Sequence, residues 1–561
     1  MADSMIVREI LETYEEVLID SEIVDDLIFM ISLFGKHFLF IAPTIDNPGT
    51  YANVYLYNDD GLDFPHIMLR EKSFPDIQCI PEGKYRWVCL YEQDSIVNTI
   101  VSYEDKVIDA LDRLIELLSM TTLEKEKEFQ KEFMFYWNSN SVDTMDHAVF
   151  LSQENAFAEM NIYFGQSKAR IVEKGLYLSD INSRVKDKRK WVPHIENNVY
   201  FIPISDCREI LPPHRGYAWS AKDVKSIVYA KQIEHISDET YRFLRTTIPQ
   251  TQNVILVFGM KTEQVNAVFA LKLKCNNLVR CSLLEKILNN TVSVELLYTH
   301  REDYLYLNEQ IGNDVGLLKK KVLLIGAGSL GSYVAFELAK NGVSALKVYD
   351  EDKLENENVL RWAYGGFGTG INKAEHIALL LNILHPEIKV EAVGANIDNK
   401  KLAEEVSQVD LIIFTVGNSD VQLRLNRDLH EMKCSVPVVY AWIEAGGTYS
   451  HILVVDYRKP GCFECLYTSK AGILTNNRAR KDINDSSDNY IVRNGCGGTR
   501  AAYGTAVLLR TTAAILEVIQ KISDQYLVKN TLIDISPEKS CESKIEFPLE
   551  ACNCCGNKKN E

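Results

Sequence analysis

At 561 residues the chain is too long for one hydrophobic core, and ordinary domain sizes divide it into about three. Hydrophobic residues at 46% and charged residues at 25% describe a soluble globular protein, and a net charge of −17 argues against nucleic acid, whose phosphates require a basic footprint. No uncharged apolar run reaches the roughly 18 residues that would span a bilayer; the best candidate, Leu27 to Ala42, is broken by Lys36 and His37, so no membrane partner is expected.

In chain order, the N-terminal MADSMIVREILE carries early acids and no apolar run, which excludes a signal peptide and makes the cytoplasm the expected compartment. Tyr51 to Tyr57 and His66 to Leu69 alternate like strands of a meander. Phe74-Pro75-Asp76-Ile77 then leads through a turn with Pro81 and Gly83 to the extended Trp87-Val88-Cys89-Leu90. A helix follows, its apolar Val107, Ile108, Leu111, Leu114, Ile115 and Leu118 recurring about every 3.6 residues. The run Glu124 to Lys131 pairs opposite charges at helical spacing and reads as a solvated helix or connector. Residues 146–300 mix strands, clearest at Val199 to Ile204 and Val254 to Gly259, with short helices and a proline turn at Leu211-Pro212-Pro213. That region carries no readable motif and is expected to be a folded linker.

The strand Val322 to Ile325 runs into Gly326-Ala327-Gly328-Ser329-Leu330-Gly331 and then a helical pattern, a glycine loop whose helix N-terminus can hold a phosphate. A second strand, Leu346 to Tyr349, ends at Asp350, where a carboxylate can accept ribose hydroxyls. This much fits any nucleotide-binding βαβ unit, NAD or FAD enzymes and purely structural Rossmann units included. The series Asp352, Asn358, Arg361 and Lys373 favours ATP. A site transferring AMP must hold a triphosphate, a cation and a carboxylate nucleophile, and must neutralise charge building on phosphorus. Arg361 suits a bidentate phosphate contact, Lys373 a point-charge contact, and Asp352 can hold the nucleotide or its metal.

Thirteen cysteines in such a chain read as reduced thiols for metal or catalysis rather than as disulfides. Cys462 with Cys465, and Cys552 with Cys555, form two CxxC knuckles able to place four thiolates around Zn²⁺. Their long separation means the metal would staple the C-terminal tail to the body; Cys554 is a spare or alternative ligand, and unliganded surface thiols are the other reading. Cys496 lies in Arg493-Asn494-Gly495-Cys496-Gly497-Gly498-Thr499, before a helix expected over Ala501 to Ile519. Flanking glycines, Arg493, Arg500 and the helix N-terminus are reasons for a lowered thiol pKa, although a packing cysteine in a glycine turn fits the same residues.

On these residues, the segment 301–561 resembles the ThiF/MoeB family of adenylating enzymes, which includes the ubiquitin-activating enzymes. Gly326, Gly328, Gly331, Asp350, Asp352, Asn358, Arg361 and Lys373 fall on that family's glycine loop, D-x-D, N-x-x-R and K-A pattern. The resemblance implies a Rossmann-like domain that uses ATP to adenylate the C-terminal glycine of a small protein, a structural zinc on a similar CxxC pair, a homodimer, and Cys496 as the first thioester nucleophile. Two positions depart from it. Gly417 stands where the family carries an Mg²⁺-binding aspartate, with Asp420 three residues on as the substitute if that loop is helical. Arg301 is kept from a segment that in the family donates an arginine across a dimer, but Glu309-Gln310 stands where a second arginine is expected.

The region around Cys89 resembles a diverged ubiquitin-conjugating domain, which implies that Cys89 takes the thioester next. Asp76 replaces the asparagine that stabilises the oxyanion in that family, and Cys79 is the lesser candidate. The expected architecture is therefore α/β and α+β multidomain: a conjugating-like α+β domain (1–145), a linker domain (146–300) and a Rossmann-like ThiF adenylation domain (301–561). This order is similar to the fusion proteins of bacterial CBASS anti-phage operons. It implies ATP-dependent adenylation of a partner's C-terminus, a cGAS-like nucleotidyltransferase by the same resemblance, then transfer through Cys496 and Cys89 to a target amine, with ATP, Mg²⁺ and Zn²⁺ as cofactors. A sulfur-carrier-activating adenylyltransferase of thiamin or molybdopterin type, and a catalytically silent scaffold suggested by Gly417, Asp76 and Glu309, are the alternatives.

Overall fold

The computed structural model describes residues 2–22, 27–43, 51–58, 64–74, 80–91, 101–141, 145–165, 167–179, 195–207, 209–214, 219–229, 235–247, 253–262, 265–275, 281–313, 315–365, 368–469, 479–481, 491–494, 498–524, 529–538, 540–543 and 551–556. The chain divides into two compact units, Met1–Lys174 with His194–Arg301, and Gly175–Pro193 with Glu302–Glu561. Among the described residues no helix is long and apolar enough to cross a membrane.

The first unit contains two sheets. Strands β1 (Val17–Glu22), β2 (Ile28–Leu33), β3 (Lys36–Ile41), β4 (Asn53–Tyr57), β5 (Ile67–Lys72) and β6 (Tyr85–Val88) form an antiparallel sheet in the order β1-β2-β3-β4-β6-β5. The expected core segment Leu27 to Ala42 is the β2–β3 hairpin. Its two-residue turn places Phe34 at φ +49° and Gly35 at φ +77°, the twist that suits a tight hairpin. One face of this sheet is covered by the helices Ala2–Thr13 and Tyr103–Ser119, so that Val107, Leu111 and Leu114 pack with Phe38, Phe40, Val54 and Val88. Ser102 starts the second helix by accepting the Asp105 N–H. The charged run is the helix Thr122–Lys131, closed by a Thr121/Glu124 capping box, and its Gln130 donates to the carbonyls of Cys207 and Ile210.

The second sheet comprises β7 (Asp146–Phe150), β8 (Ala158–Phe164), β9 (Lys168–Glu173), β10 (Ile195–Ile204), β11 (Asn253–Lys261), β12 (Asn266–Cys275), β13 (Val292–Leu297) and β14 (Thr299–Arg301), in the order β13-β12-β11-β10-β8-β9-β7-β14. β10 and β11 are parallel, joined by a crossover that carries the helices Ala221–Val228 and Asp238–Thr246. The sheet curls on itself, since Thr299 of the last strand in this order accepts the Ala270 N–H of β12 at its Oγ1.

The second unit is built on β15 (Lys321–Ile325), β16 (Ala345–Tyr349), β17 (Lys389–Val393), β18 (Leu411–Phe414), β19 (Val438–Ile443) and β20 (Ser450–Val455). A separate two-stranded ribbon pairs β21 (Ile491–Asn494) with β22 (Gly498–Ala501), and β23 (Thr531–Ile535) and β24 (Ser540–Ser543) complete the main sheet. Its order is β17-β16-β15-β18-β19-β20-β23-β24; β17 through β19 are parallel and the rest antiparallel. Nearly continuous apolar strands such as Val322–Ile325 and Leu411–Phe414 fit a sheet buried on both faces. The chain leaves β15 toward β16 and returns on the other side at β18, so a crevice opens at the carboxyl ends of β15 and β18, the place where such sheets bind ligands. This is the mixed α/β multidomain architecture with a Rossmann-like domain that the sequence leads one to expect. The helix anticipated over Ala501 to Ile519 starts later, at Thr505, and runs to Ser523.

Candidate active site

β15 delivers Gly326 into the crevice with φ +101°, a conformation that favours glycine. A Cβ there would lie 2.9 Å from the backbone of Thr415 and Val416, so the loop packs directly on the end of β18. Thr415 Oγ1 donates to the Gly326 carbonyl at 2.7 Å, and Trp362 Nε1 donates to the Ala327 carbonyl at 2.8 Å. Gly328 caps the helix Ser329–Lys340 and faces open space, leaving the helix N-terminus accessible. Gly331, inside the first turn, does not line the cavity.

The carboxylate of Asp350, at the end of β16, accepts the Ala327 N–H at 2.6 Å and the Asp352 N–H at 2.8 Å. Burial pushes this carboxyl above the usual range, and the two amides pull it partly back. Lys373 Nζ lies 2.8 Å from Asp352, with the lysine side chain 11% exposed and the aspartate 66% exposed. Asn372 organises this corner: its side chain caps the helix Lys373–Leu384 and donates to the carbonyls of Asp350 at 2.8 Å and Asp352 at 3.1 Å. Sequence reading missed Asn372 and Thr415, although a helix-capping asparagine directly before Lys373 was a legible signal. Together Gly326, Gly328, Asp350, Asp352, Lys373 and Asn418 line a cavity of about 330 Å³. Its described lining presents three carboxylates, Asp350, Glu351 and Asp352, against one ammonium, Lys373. A polyphosphate is stable against such a wall only with a divalent cation between them.

The other motif residues lie elsewhere. Asn358 and Arg361 belong to a 3₁₀ turn, Asn356–Arg361, outside the cavity lining. Arg361 donates to the Ala501 carbonyl at 3.0 Å and sits 5.6 Å from the Tyr503 ring, beside the segment that leads into the helix Thr505–Ser523. Gly417 lines the cavity; Asp420 is exposed in the first turn of the helix Ser419–Glu431, outside the lining. Arg301 departs from its expected role. Its side chain is 3% exposed and ion-paired with Glu154 in the first unit, and is therefore not offered outward to a second protomer.

The four knuckle cysteines converge. Cys462 precedes the 3₁₀ turn Phe463–Leu466 and Cys465 lies within it, and the two meet Cys552 and Cys555 with all four sulfurs within 4.8 Å of one another. Sulfur separations of 4.0 Å (Cys462–Cys465), 3.8 Å (Cys462–Cys552) and 3.4 Å (Cys465–Cys555) bracket the edge of about 3.8 Å that a tetrahedral zinc with bonds of about 2.3 Å requires. The donor set fits that ion. The Cys465 thiol foremost, with its neighbours, holds Cys462 well below the usual thiol range. Asn426, unforeseen from sequence, donates to Cys554 Sγ at 3.3 Å and to Cys462 Sγ at 3.7 Å. Cys89 follows β6, half-buried, its N–H donating to the His66 carbonyl at 2.8 Å and its thiol to the Tyr91 carbonyl at 3.4 Å. Cys496, Asp76 and Cys79 lie outside the described residues.

Residues 310–555 match the model of the ThiF family. The C-terminal region is a ThiF family domain, consistent with its glycine-loop crevice. Ubiquitin-like modifier-activating enzyme 5 of Aedes aegypti is 25% identical over 239 residues, 40% of this chain and 56% of that protein. The chain thus spans about half the length of the modifier-activating relatives it matches. The ATP-dependent ubiquitin transferase-like protein Cap2 of Vibrio cholerae is 22% identical over 553 residues, 89% of this chain and 90% of its own. Among solved structures, E. coli MccB with ATP is 22% identical over 43% of this chain and 67% of that one, with a TM-score of 0.34.

Proposed function

We propose that the protein adenylates the C-terminus of a partner protein with ATP, carries the acyl group as a thioester on Cys496 and then Cys89, and ligates it to an amine. The observation that carries this reading is the single cavity in a ThiF domain that gathers the glycine loop, Asp350, Asp352 and Lys373. The near full-length likeness to a protein named as an ATP-dependent ubiquitin transferase-like protein supports extending it to the whole chain. Gly328 and the helix behind it would hold phosphate, Asp350 the ribose, and Lys373 the charge that builds on the α-phosphorus. The partner's carboxylate oxygen attacks that phosphorus and pyrophosphate leaves; the Cys496 thiolate then displaces AMP, Cys89 takes the acyl group by thioester exchange, and an amine releases the Cys89 thiol as an amide forms. Mg²⁺ is proposed beside Asp352, with Asp420 as the second candidate ligand, and Zn²⁺ on Cys462, Cys465, Cys552 and Cys555.

In the same reading, residues 1–145 are a conjugating-like domain, 146–300 a linker and 301–561 the adenylation domain. The protein works in the cytoplasm, and the partner is a cGAS-like nucleotidyltransferase in anti-phage defence. Exposed Leu360, Leu379, Ile383 and Leu384 support a homodimer through the ThiF domain. The deciding experiment incubates cell lysate with ATP and wild-type, Cys496→Ala or Cys89→Ala protein, then looks for a reduction-sensitive adduct by mass spectrometry. Wild type and Cys89→Ala should form a thioester on Cys496, and Cys496→Ala none. Undiminished activity of Cys89→Ala, with no ligation to an amine, would favour a sulfur-carrier enzyme, and no adduct from any protein would favour a silent scaffold.

A further inference from the structure

The nucleotide cavity and the cysteine cluster, both in the second unit, share one helix. The helix Ser419–Glu431 follows β18, and its N-cap Asn418 and first-turn Val421 line the cavity. Gln422, 2% exposed, donates to the carbonyl of Val416, another lining residue. Asn426 lies about 12 Å further along the axis than Asn418, at 1.5 Å per residue, and there the helix meets the first cysteine knuckle.

Asn426 is fully buried, and its partners fix which way its amide points. Its Oδ1 accepts the Phe463 N–H at 3.0 Å and the Tyr457 hydroxyl at 3.0 Å, so its NH₂ faces the sulfurs of Cys462 and Cys554. The next residue, Arg427, pairs at 2.6 Å with Glu464, whose side chain is 0% exposed and which lies between Cys462 and Cys465. Tyr467, just past the knuckle, donates its hydroxyl to Ser419 Oγ at 3.0 Å, back at the start of the helix. A second connection runs through stacked rings. Phe414 ends β18 beside the lining residue Thr415 and stacks on Tyr440 of β19 at 4.7 Å; Tyr440 in turn stacks on Phe463 at 4.7 Å. All three rings are buried, in a core where one cannot shift without the others.

We propose that the two sites are linked: the knuckle, closed on its metal, holds Asn418 and Val421 where they receive the nucleotide, and Asn426, Arg427, Glu464 and Tyr467 are positioning residues for ATP. This rests on the adenylation reading and adds to it a nucleotide affinity that depends on a metal the nucleotide never touches. The test measures ATP affinity of the full chain by calorimetry with Mg²⁺, zinc-loaded and zinc-stripped, and the rate at which zinc passes to a colorimetric chelator with and without saturating ATP. Wild type should bind ATP about fivefold or more tightly when zinc-loaded, and ATP should slow zinc transfer by a similar factor. Two variants separate this linkage from a metal that merely keeps the unit folded: Arg427→Met/Glu464→Met, which removes a buried ion pair together, and Tyr467→Phe, which removes one hydroxyl. Both should still hold zinc, while both factors fall by about half or more; a merely structural metal would leave the factors unchanged. A chain that holds no zinc, ATP binding that ignores zinc, zinc transfer that ignores ATP, or undiminished factors in the variants overturns the inference and leaves the adenylation reading standing. Absence of ATP binding by the zinc-loaded wild type overturns both. If the stripped chain does not stay folded, the zinc-transfer rates decide, and if the double variant does not fold, Tyr467→Phe decides.

Discussion

A methyl group at Gly331 would sit 2.0 Å from the Gly326 carbonyl oxygen and 2.6 Å from Thr415 Oγ1, whereas one at Gly328 meets nothing within 4 Å. The two glycines therefore serve different ends: Gly331 lets helix and strand touch, and Gly328 keeps the helix N-terminus open to a ligand. Gly331→Ala should lower stability by about 1–3 kcal/mol, seen as a lower melting temperature. Gly328→Ala should melt like wild type but bind ATP more weakly, as read by calorimetric titration. Lys373 makes a similar separation possible. Its partner Asp352 is 66% exposed, so the pair adds little stability, about 0–1 kcal/mol. Lys373→Met should therefore leave melting nearly unchanged while ATP–pyrophosphate exchange falls by about 100-fold. The glycines, Asp350, Asp352 and Lys373 were legible because each borders one βαβ unit, where local spacing nearly sets position. Arg361, expected from its type to contact phosphate, lies outside the cavity lining, and its contacts with Ala501 and Tyr503, far along the chain, could not be read from spacing.

At the scale of elements, β19, β20 and β23 meet around a charged centre that no motif announced. His451 of β20 holds Asp534 of β23 at 2.7 Å and Glu444, just past β19, at 2.5 Å, all buried, with the Trp442 ring stacked on the imidazole. Lys481 reaches Asp534 at 2.5 Å, and its backbone N–H donates to Glu444 at 2.7 Å. Burial alone would lower the imidazole pKa; hydrogen bonds to Asp534 and Glu444 outweigh it and raise the pKa above the ordinary 6.5. A raised histidine pKa means that the folded state binds the proton more tightly than the unfolded one. The stabilisation is thus complete below about pH 6.5 and is lost as pH climbs through the higher folded value. Chemical denaturation between pH 6 and pH 9 should show this decline in wild type and a flatter profile in His451→Gln, which should also cost about 3 kcal/mol near pH 6 by leaving two buried carboxylates short of a cation. Histidine, glutamate and aspartate scattered over 91 positions carry no periodicity, so only strand pairing brings them together.

Across the whole molecule, the cysteine cluster joins the turn at Phe463–Leu466 to the chain's last described segment, residues 551–556. A zinc there would act as a clasp in the second unit, and its removal should be felt beyond the tail. Elemental analysis should find one zinc per chain. Treatment with 1,10-phenanthroline should lower the melting temperature by about 10 °C or more, because a structural zinc is worth several kcal/mol and each is about 2–4 °C in a domain of this size. The same treatment should expose Cys462, Cys465, Cys552 and Cys555 to alkylation. An unchanged melt and unaltered alkylation would set the metal aside and leave a cluster of packed thiols.

The sequence by itself determined the Rossmann-like crescent of glycine loop and acids, the strand-rich N-terminal region with its covering helix, and the two cysteine pairs, because each is written in short-range spacing or in the alternation that burial imposes on strands and helices. Tertiary structure alone decided which of these residues share a cavity. It placed Lys373 with Asp352, turned Arg361 toward Ala501, and closed Arg301 into an ion pair with Glu154 at the rim of an unanticipated cavity. The physical reason is that such contacts depend on the order in which strands add to a sheet and on how that sheet curls, and residue types along the chain do not record either.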